Sequence, residues 1–317
     1  MLAVLAPGQG SQKPGFLTPW LELPGAAARL RWWSILANTD LVHLGTGAGA
    51  EEIKDTAKTQ PLLVAAALLT AEHLPMHDVG VVAGHSVGEL GAAVLAGVIS
   101  GEAAVTLGGV RGREMAAACA LEPTGMSAVL GGDPDEVAAA IEAAGLYCAN
   151  RNGAGQIVAA GAVDLLKKFA EAPPARTKVV TLPVAGAFHT PYMAPAQEAL
   201  AELAGGIPTA DPHKILLSNR DGTAVSSGTD LVARLVRQVT SAVRWDLCMA
   251  TLADLGVTAI IELAPAGTLA GLAKRALTGI EIIAVKTPAD LPAARDLVAR
   301  HGMAPSNEPT PQLGGHL

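Results

Sequence analysis

The sequence predicts an α/β protein whose larger part is hydrolase-like, with a mostly parallel sheet. Short apolar runs alternate with Ala- and Leu-rich stretches, which is the pattern of parallel strands joined by helices on both faces of a sheet. The pentapeptide Gly84-His85-Ser86-Val87-Gly88 directly follows the apolar run 81–83. Strand, glycine-flanked turn and helix in this order are typical of a nucleophile elbow, which exposes a serine hydroxyl at the end of a strand.

The elements of the larger part follow from local signals. The first strand, residues 2–6, is apolar and ends before Gly8-Gln9-Gly10. Proline favours the first position of a helix, so a helix is predicted from Pro61 to residue 73. The other predicted elements are the strands 80–83, 215–218 and 259–263 and the helices 87–96, 103–120, 193–203, 231–239, 246–255 and 268–275.

The pattern changes near Thr124, where short strands (126–130, 156–160 and 179–184) alternate with two helices (133–144 and 163–172). This segment predicts a compact inserted subdomain. Residues 1–123 and 189–302 are therefore predicted to form a discontinuous large catalytic subdomain, and residues 124–188 a small one. Residues 303–317 are rich in Pro, Gly and polar side chains, which predicts a disordered tail.

Composition argues against several classes of protein. Half of the 317 residues are hydrophobic, which is enough for a large core, and the net charge of −7 disfavours binding to nucleic acid. No apolar run is long enough for a membrane helix, and the apolar start lacks the basic region of a signal peptide. Three cysteines without a pairing pattern predict free thiols in a cytoplasmic protein. No metal motif or dinucleotide fingerprint is present, so we expect neither a metal nor a cofactor.

Ser86 needs an adjacent base, because a serine hydroxyl is a weak nucleophile at neutral pH. Histidine suits this role since its pKa lies near 7. Among eight histidines, His189 is the best candidate: it follows the predicted strand 179–184, in a loop of small residues where the chain returns to the large subdomain. His85 lies inside the elbow, where its side chain should point away from Ser86. A serine followed far downstream by its histidine is the order found in hydrolase-like α/β enzymes.

Several motifs occur together in a fixed order along nearly the whole chain. They are Gly8-Gln9-Gly10-Ser11-Gln12, Gly84-His85-Ser86-Val87-Gly88-Glu89, Arg111-Gly112, the run 150–158 (NRNGAGQIV), Gly186-Ala187-Phe188-His189 and Ser218-Asn219-Arg220-Asp221-Gly222. Each motif alone is weak, but the ordered set resembles the malonyl-CoA:acyl-carrier-protein transacylases of type II fatty acid or polyketide synthesis.

The resemblance implies that the inserted subdomain is ferredoxin-like. It also implies transfer of a malonyl group from malonyl-CoA to the phosphopantetheine thiol of an acyl carrier protein, by a ping-pong mechanism through a malonyl-Ser86 ester. The backbone N–H groups of Gln9 and Val87 would form the oxyanion hole. The main-chain carbonyl of Gln238 would orient His189, although Ser241-Ala242 stands where Asn-Pro is common in the family.

Two further roles bear on the acyl group. In the family, the arginine that matches Arg111 pairs with the free carboxylate of malonate, and a planar guanidinium does so bidentately where lysine does not. Phe188 lies in an Ala-Phe-His sequence. In the acyltransferases of modular polyketide synthases, which this segment also resembles, Ala-Phe-His goes with malonyl and Ala-Ser-His with methylmalonyl. A phenyl ring beside the base would crowd a methyl group on C2 of the substrate.

Two alternatives stay open: a serine esterase or thioesterase, and a non-catalytic module that binds carrier proteins. The expected partners are malonyl-CoA and an acyl carrier protein, without nucleic acid or membrane, and the expected state is a cytoplasmic monomer. Carrier proteins are usually acidic and so is this chain, so docking would need a local basic patch. The candidates are Arg151, Arg220, Arg237 and Arg244, because they neighbour the family motifs.

Overall fold

A computed structural model describes residues 1–302, and the predicted disordered tail, 303–317, lies outside the described residues. The strands are β1 (Leu2–Ala6), β2 (Val81–Gly84), β3 (Thr124–Gly131), β4 (Tyr147–Gly153), β5 (Gln156–Ala162), β6 (Thr177–Thr181), β7 (Ile215–Leu217), β8 (Val243–Arg244), β9 (Ala259–Glu262) and β10 (Glu281–Ala284). The helices are α1 (Ala26–Ala37), α2 (Leu41–Thr46), α3 (Thr56–Ala71), α4 (Gly88–Leu95), α5 (Gly101–Cys119), α6 (Pro134–Ala143), α7 (Val163–Glu171), α8 (Ala194–Ala204), α9 (Gly228–Gln238), α10 (Trp245–Asp254), α11 (Thr268–Ala276) and α12 (Leu291–His301).

The first sheet has the strand order β10-β9-β1-β2-β7, and all its neighbours are parallel. Side chains alternate along β1: Leu2 and Val4 join one buried cluster, whereas Ala3 and Leu5 join a second cluster with residues of α10 and α11. Both faces of the sheet are therefore covered, as expected for parallel strands that read as continuous apolar runs.

This topology determines where the motifs meet. The strands β1, β2 and β7 are neighbours and run in the same direction, so their carboxyl ends lie at one edge of the sheet. Gln9 follows β1, Ser86 follows β2 and Asn219 follows β7. Three motifs that are far apart in the sequence thus converge at the edge where ligands bind in open α/β sheets.

The second sheet has the order β6-β3-β5-β4-β8, with antiparallel pairs except for β4 and β8, which are parallel. Its first four strands and the helices α6 and α7 come from residues 124–181. The fifth strand, β8, comes from a later part of the chain and hydrogen-bonds beside Asn150 and Arg151. The structure is therefore a mixed α/β fold with one parallel sheet and a second, mixed sheet.

Some element boundaries differ from those predicted. Helix α3 begins at Thr56 rather than at Pro61, because Asp55 caps it by accepting a hydrogen bond from the Ala57 amide. Strand β6 ends at Thr181, and Leu182, whose amide makes one more hydrogen bond to the Met126 carbonyl at 2.9 Å, lines a cavity. Within residues 1–302, no helix has the length and apolar character needed to cross a bilayer.

The sequence did not predict strand β4. Its run Asn150-Arg151-Asn152-Gly153 has the polar composition of a turn, yet it pairs with β5 on one side and β8 on the other. Tertiary pairing overrides local preference here. As a result, Asn150 and Asn152 are buried and face the same cavity as Leu182.

Candidate active site

Ser86 lies in the turn between β2 and α4 with a left-handed backbone, φ 54°. A serine rarely adopts this conformation, and such strain is concentrated at functional sites. Both flanking residues must be glycine, because the turn leaves no room for a side chain at either position. A Cβ atom on Gly84 would lie 2.1 Å from the carbonyl group of Gly88, and one on Gly88 would lie 2.2 Å from the Ala6 carbonyl oxygen. The elbow can be this tight only because both positions lack a side chain.

The loop after β1 packs directly against the elbow. A Cβ atom on Gly8 would lie 2.7 Å from the carbonyl oxygen of His85. The Gln9 side chain is held by the Lys54 carbonyl, 3.4 Å from its Nε2. Within residues 1–302, neither the Gln9 amide nor the Val87 amide donates a hydrogen bond. Both residues line the cavity that contains Ser86, so these amides are the donors that the two loops offer there.

Ser86 and His189 meet at the centre of the site. The distance from Ser86 Oγ to His189 Nε2 is 2.8 Å, and His189 Nδ1 lies 2.8 Å from the carbonyl oxygen of Gln238. A carbonyl only accepts, so Nδ1 carries the proton and Nε2 is free to accept from the serine hydroxyl. Gln238, at the end of α9, thereby holds the imidazole in the tautomer that a general base requires.

His189 is fixed by a tight loop before α8. Its backbone is left-handed, with φ 61°, and its side chain is buried. Next to it, the Ala187 amide donates to Thr124 Oγ1 at 3.0 Å, and Thr190 Oγ1 donates to the Ala187 carbonyl at 2.6 Å. Burial, helped by the positive charge of Arg111, lowers the pKa of His189 to about 3. The imidazole is therefore neutral at physiological pH.

Arg111 extends from α5 into the same site. Its Nη2 lies 3.4 Å from Ser86 Oγ and 3.0 Å from Gln238 Oε1, and its Nη1 donates to Gln60 Oε1 at 2.5 Å. The residue is only 4% exposed. Burial lowers the pKa of its guanidinium to about 10, which still leaves it charged at neutral pH. A buried cation beside the serine is suited to binding an anionic group of a substrate.

Three buried polar residues to which the sequence assigned no role complete the site: Gln60, Glu89 and Asn219. Asn219 Oδ1 accepts from the Ser86 amide at 2.7 Å, and its Nδ2 donates to the Gly84 carbonyl at 2.7 Å, so it clamps both ends of the elbow. Glu89 accepts hydrogen bonds from the main-chain amide of Asn219, at 2.8 Å, and from Gln238 Nε2. Burial raises the pKa of Glu89 to about 7.

The cavity above Ser86 has a volume of about 180 Å³ and lies between the two sheets. The large sheet contributes the elbow and the Gly8-Gln9 loop, and the small sheet contributes Met126 and Val158. Phe188 lines it beside His189 and is 7% exposed. The space at the serine is therefore bounded by an aromatic ring on the side of the base.

The four candidate arginines for a basic patch differ in their surroundings. Arg244 lies 2.9 Å from Asp246, and Arg151 lies 3.8 Å from Asp135. Among the residues that the structure describes, Arg220 and Arg237 form no ion pair. The predicted patch is thus partly neutralised by its own acidic neighbours.

Comparisons with known proteins identify relatives along nearly the whole chain. Residues 5–292 match the model of the acyl transferase domain family. The malonyl CoA-acyl carrier protein transacylase of Mycobacterium tuberculosis (strain ATCC 25618 / H37Rv) is 57% identical over 296 residues, covering 92% of this chain and 98% of that protein. The protein of the same name from Bacillus subtilis (strain 168) is 32% identical over 298 residues, covering 90% and 94%.

Solved structures show the same relationship. The crystal structure of MCAT from Mycobacterium tuberculosis superposes with a TM-score of 0.90 at 56% identity, covering 93% of this chain and 99% of that one. A malonyl-transacylase in complex with its type II PKS acyl-carrier protein gives a TM-score of 0.88 at 29% identity, again covering 93% and 99%. The resemblance inferred from the ordered motifs is confirmed. The chain belongs to the acyl transferase domain family, among the malonyl CoA-acyl carrier protein transacylases, and it is an acyltransferase.

Proposed function

We propose that this enzyme transfers a malonyl group from malonyl-CoA to the phosphopantetheine thiol of an acyl carrier protein, through an ester on Ser86. The observation that carries the proposal is a chain of two hydrogen bonds. One joins Ser86 Oγ to His189 Nε2 and the other joins His189 Nδ1 to the Gln238 carbonyl, each at 2.8 Å. Arg111 Nη2 lies 3.4 Å from the same serine hydroxyl. A nucleophile, a base in the correct tautomer and a cation for a carboxylate converge on one atom.

In the first half-reaction, Ser86 Oγ attacks the thioester carbonyl while His189 Nε2 takes the hydroxyl proton. The negative charge that develops on the carbonyl oxygen is stabilised by the main-chain amides of Gln9 and Val87. When the tetrahedral intermediate collapses, the C–S bond breaks and His189 returns the proton to the sulfur of CoA. The products are malonyl-Ser86 and free CoA.

The second half-reaction is the reverse with a different thiol. The phosphopantetheine thiol of the carrier protein gives its proton to His189 and attacks the ester carbonyl, and Ser86 leaves with the proton from His189. Because CoA departs before the carrier protein reacts, the kinetics are ping-pong. The thioester brings an already activated acyl group, so the proposed steps draw on no cofactor.

Arg111 gives the site its preference for a dicarboxylic acyl group. Its guanidinium is buried at a cost in desolvation that the charge of nearby Glu89 offsets only in part, and a malonyl carboxylate would form a direct ion pair with it. Phe188 restricts the space around the second carbon of the acyl group, which favours malonyl over methylmalonyl. An acetyl group would lack the contact with Arg111 and would bind less tightly.

The partner and the setting are proposed on the same basis. A malonyl-transacylase related to this chain was solved in complex with its acyl-carrier protein, which supports such a partner here. Arg220 and Arg237, which form no ion pair within residues 1–302, are the candidates for contact with an acidic carrier. Three free cysteines fit the reducing cytoplasm, and a site built from one chain fits a monomer.

The transfer assay tests this function. Purified enzyme is mixed with malonyl-CoA and a holo carrier protein, and the acylated carrier is measured by mass spectrometry, with methylmalonyl-CoA and acetyl-CoA in parallel. We expect malonyl to transfer fastest and Ser86→Ala to abolish transfer. If water accepts the acyl group faster than the carrier thiol, the esterase or thioesterase alternative replaces the proposal. If the wild-type protein binds the carrier but transfers no more malonyl than Ser86→Ala does, the non-catalytic alternative replaces it.

A further inference from the structure

Glu89 is the buried acidic group at this site to which the proposed steps assign no part. It lies in the first turn of α4, one turn after Ser86, and is 1% exposed. A buried carboxylate is costly unless its oxygens are hydrogen-bonded. Its Oε1 accepts a hydrogen bond from the main-chain amide of Asn219 at 2.8 Å, and its Oε2 accepts one from Gln238 Nε2. The carboxylate therefore bridges the two residues that hold the catalytic groups.

Each of these two residues controls a different half of the site. Asn219 fixes Ser86 by accepting from its amide at 2.7 Å. Gln238 accepts from His189 Nδ1 with its carbonyl at 2.8 Å and from Arg111 with its side-chain oxygen at 3.0 Å. No other described carboxylate contacts both of them, so Glu89 is a common anchor for nucleophile, base and cation.

The chemistry of the neighbours also determines how Gln238 is oriented. A guanidinium only donates and a carboxylate only accepts, so the side-chain amide of Gln238 must direct its oxygen to Arg111 and its NH₂ group to Glu89. The NH₂ group of Gln238 also lies 3.3 Å from the Ser86 carbonyl oxygen and 3.2 Å from Asn219 Oδ1, so Glu89 is the charged one of its three acceptors. Arg111 and Glu89 together therefore fix the direction of this amide.

We propose that ionised Glu89 is a positioning residue, which aligns Ser86 through Asn219, and His189 and Arg111 through Gln238, for acylation of the serine. The inference rests on the proposed role of Ser86 as nucleophile. A protonated carboxyl or a carboxamide at this position offers one acceptor and one donor to two N–H groups. One of the two contacts then becomes a donor facing a donor, and half of the site loses its alignment.

The alignment should depend on pH near neutrality. Of the titratable groups around Glu89, Arg111 on α5 has a pKa of about 10, and burial raises the pKa of Cys248 on α10 far above its usual value. Burial lowers the pKa of His85 in the elbow and lowers that of His189 to about 3. Glu89, with a pKa of about 7, is the group that changes charge in this range.

The experiment measures acylation of Ser86 in full-length Glu89→Gln by rapid quench and mass spectrometry, from about pH 6 to about pH 8.5. Malonyl-CoA and p-nitrophenyl acetate serve as separate donors, so that failure with malonyl-CoA alone counts against the proposed function and not against Glu89. Glu262→Gln is the matched control: Glu262 is also fully buried, but its carboxylate caps α11 through the amides of Gly267, Leu269 and Ala270.

At high pH, we expect Ser86 to be acylated about ten- to hundredfold more slowly in Glu89→Gln than in wild type, because the variant loses one hydrogen bond to a charged group. The wild-type rate should rise as the pH passes about 7, as should that of Glu262→Gln, whereas the Glu89→Gln rate should be flat. The proposal is overturned if Ser86 is acylated at the wild-type rate in Glu89→Gln. It is also overturned if the acylation rate of Glu89→Gln still rises near pH 7, because that rise would then belong to His189.

If Glu89→Gln fails to fold, Gln238→Leu provides the test. It keeps the main-chain carbonyl that binds His189 but removes the side-chain donor to Glu89. Loss of that donor raises the pKa of the carboxyl, so the rise in acylation rate should move to higher pH. A rise that stays at the wild-type pH overturns the proposal.

Discussion

Arg111 is the residue whose surroundings distinguish this site most clearly from that of a general serine hydrolase. Its guanidinium is almost completely buried, yet its closest polar neighbours are the amides of Gln60 and Gln238 and the hydroxyl of Ser86. Buried charges in proteins are normally paired with an opposite charge. Glu89 lies nearby but contacts Gln238 rather than the guanidinium, so in the proposed reaction the malonyl carboxylate is the direct partner of Arg111.

Replacing Arg111 by Ala should lower malonyl loading of Ser86 about hundredfold, because one charge-assisted and bidentate contact is lost in a buried setting. Acetyl loading should change far less, since acetyl has no carboxylate. Arg111→Lys should recover only part of the malonyl rate, because an ammonium lacks the fork geometry. Loading rates with malonyl-CoA and acetyl-CoA compare the three proteins, and an equal loss for both donors would argue against the carboxylate contact.

At the residue scale, the position of a side chain could be predicted where the signal was local. The elbow around Ser86, the small-residue loop around His189 and the helix of Arg111 are readable from neighbouring residues, and the structure brings the three side chains together. Glu89 and Asn219 were visible only as members of motifs. Their contact joins positions 130 residues apart, and it depends on β2 and β7 being neighbours in the sheet. Local sequence carries no such information.

At the scale of elements, the site depends on two loops that approach each other without side chains between them. The Gly8-Gln9 loop follows β1 and the elbow follows β2, and a Cβ on Gly8 would lie 2.7 Å from the His85 carbonyl oxygen. That separation is too short for any residue other than glycine. The position of the Gln9 amide, and with it the proposed oxyanion hole, therefore depends on the absence of one methyl group.

Gly8→Ala should reduce the acylation rate of Ser86 about 10²- to 10³-fold, the usual effect of losing one oxyanion donor. Gly205→Ala is the control: it follows α8 with φ −66°, and a Cβ there meets nothing within 4 Å. We expect the control to acylate at the wild-type rate. The same acylation assay measures both variants, and a Gly8→Ala enzyme with normal activity would show that the amide of Gln9 is not needed.

Element types were predictable where an apolar or Ala-rich run stands between turn residues, as for β1, β2, α4 and α5. The sequence did not reveal that β8, only two residues long, would add to the small sheet beside β4. So short a strand has no periodicity to read. The hydrolase-like and ferredoxin-like descriptions and the subdomain boundaries at 123/124 and 188/189 stay predictions.

At the scale of the whole molecule, burial of His189 couples the site to stability. Its pKa is about 3 in the folded protein and 6.5 when unperturbed. Between these values the unfolded chain binds a proton that the folded chain does not, so stability falls as the pH drops below about 6.5. Glu89 has the opposite sign, because its folded pKa of about 7 exceeds its unperturbed 4.5, and it destabilises the fold as the pH rises through that interval.

His189→Gln removes the first of these dependences. Between about pH 7.5 and about pH 5, the free energy of unfolding should fall by about 2 kcal/mol more in wild type than in the variant, from 1.36 kcal/mol per unit of pKa shift. Urea denaturation at the two pH values measures the difference, and Glu89 contributes equally to both proteins. An identical pH dependence in wild type and variant would mean that His189 is not held neutral by the fold.

In the proposed mechanism, Ser86 carries the malonyl group between two thiols. The most direct measurement is to incubate the enzyme with malonyl-CoA and no acceptor, and to map the modified peptide by mass spectrometry. We expect a malonyl ester on Ser86 that disappears when a holo carrier protein is added, with the malonyl group then found on the carrier. An ester on any other residue, or no ester in an enzyme that still transfers malonyl, would contradict it.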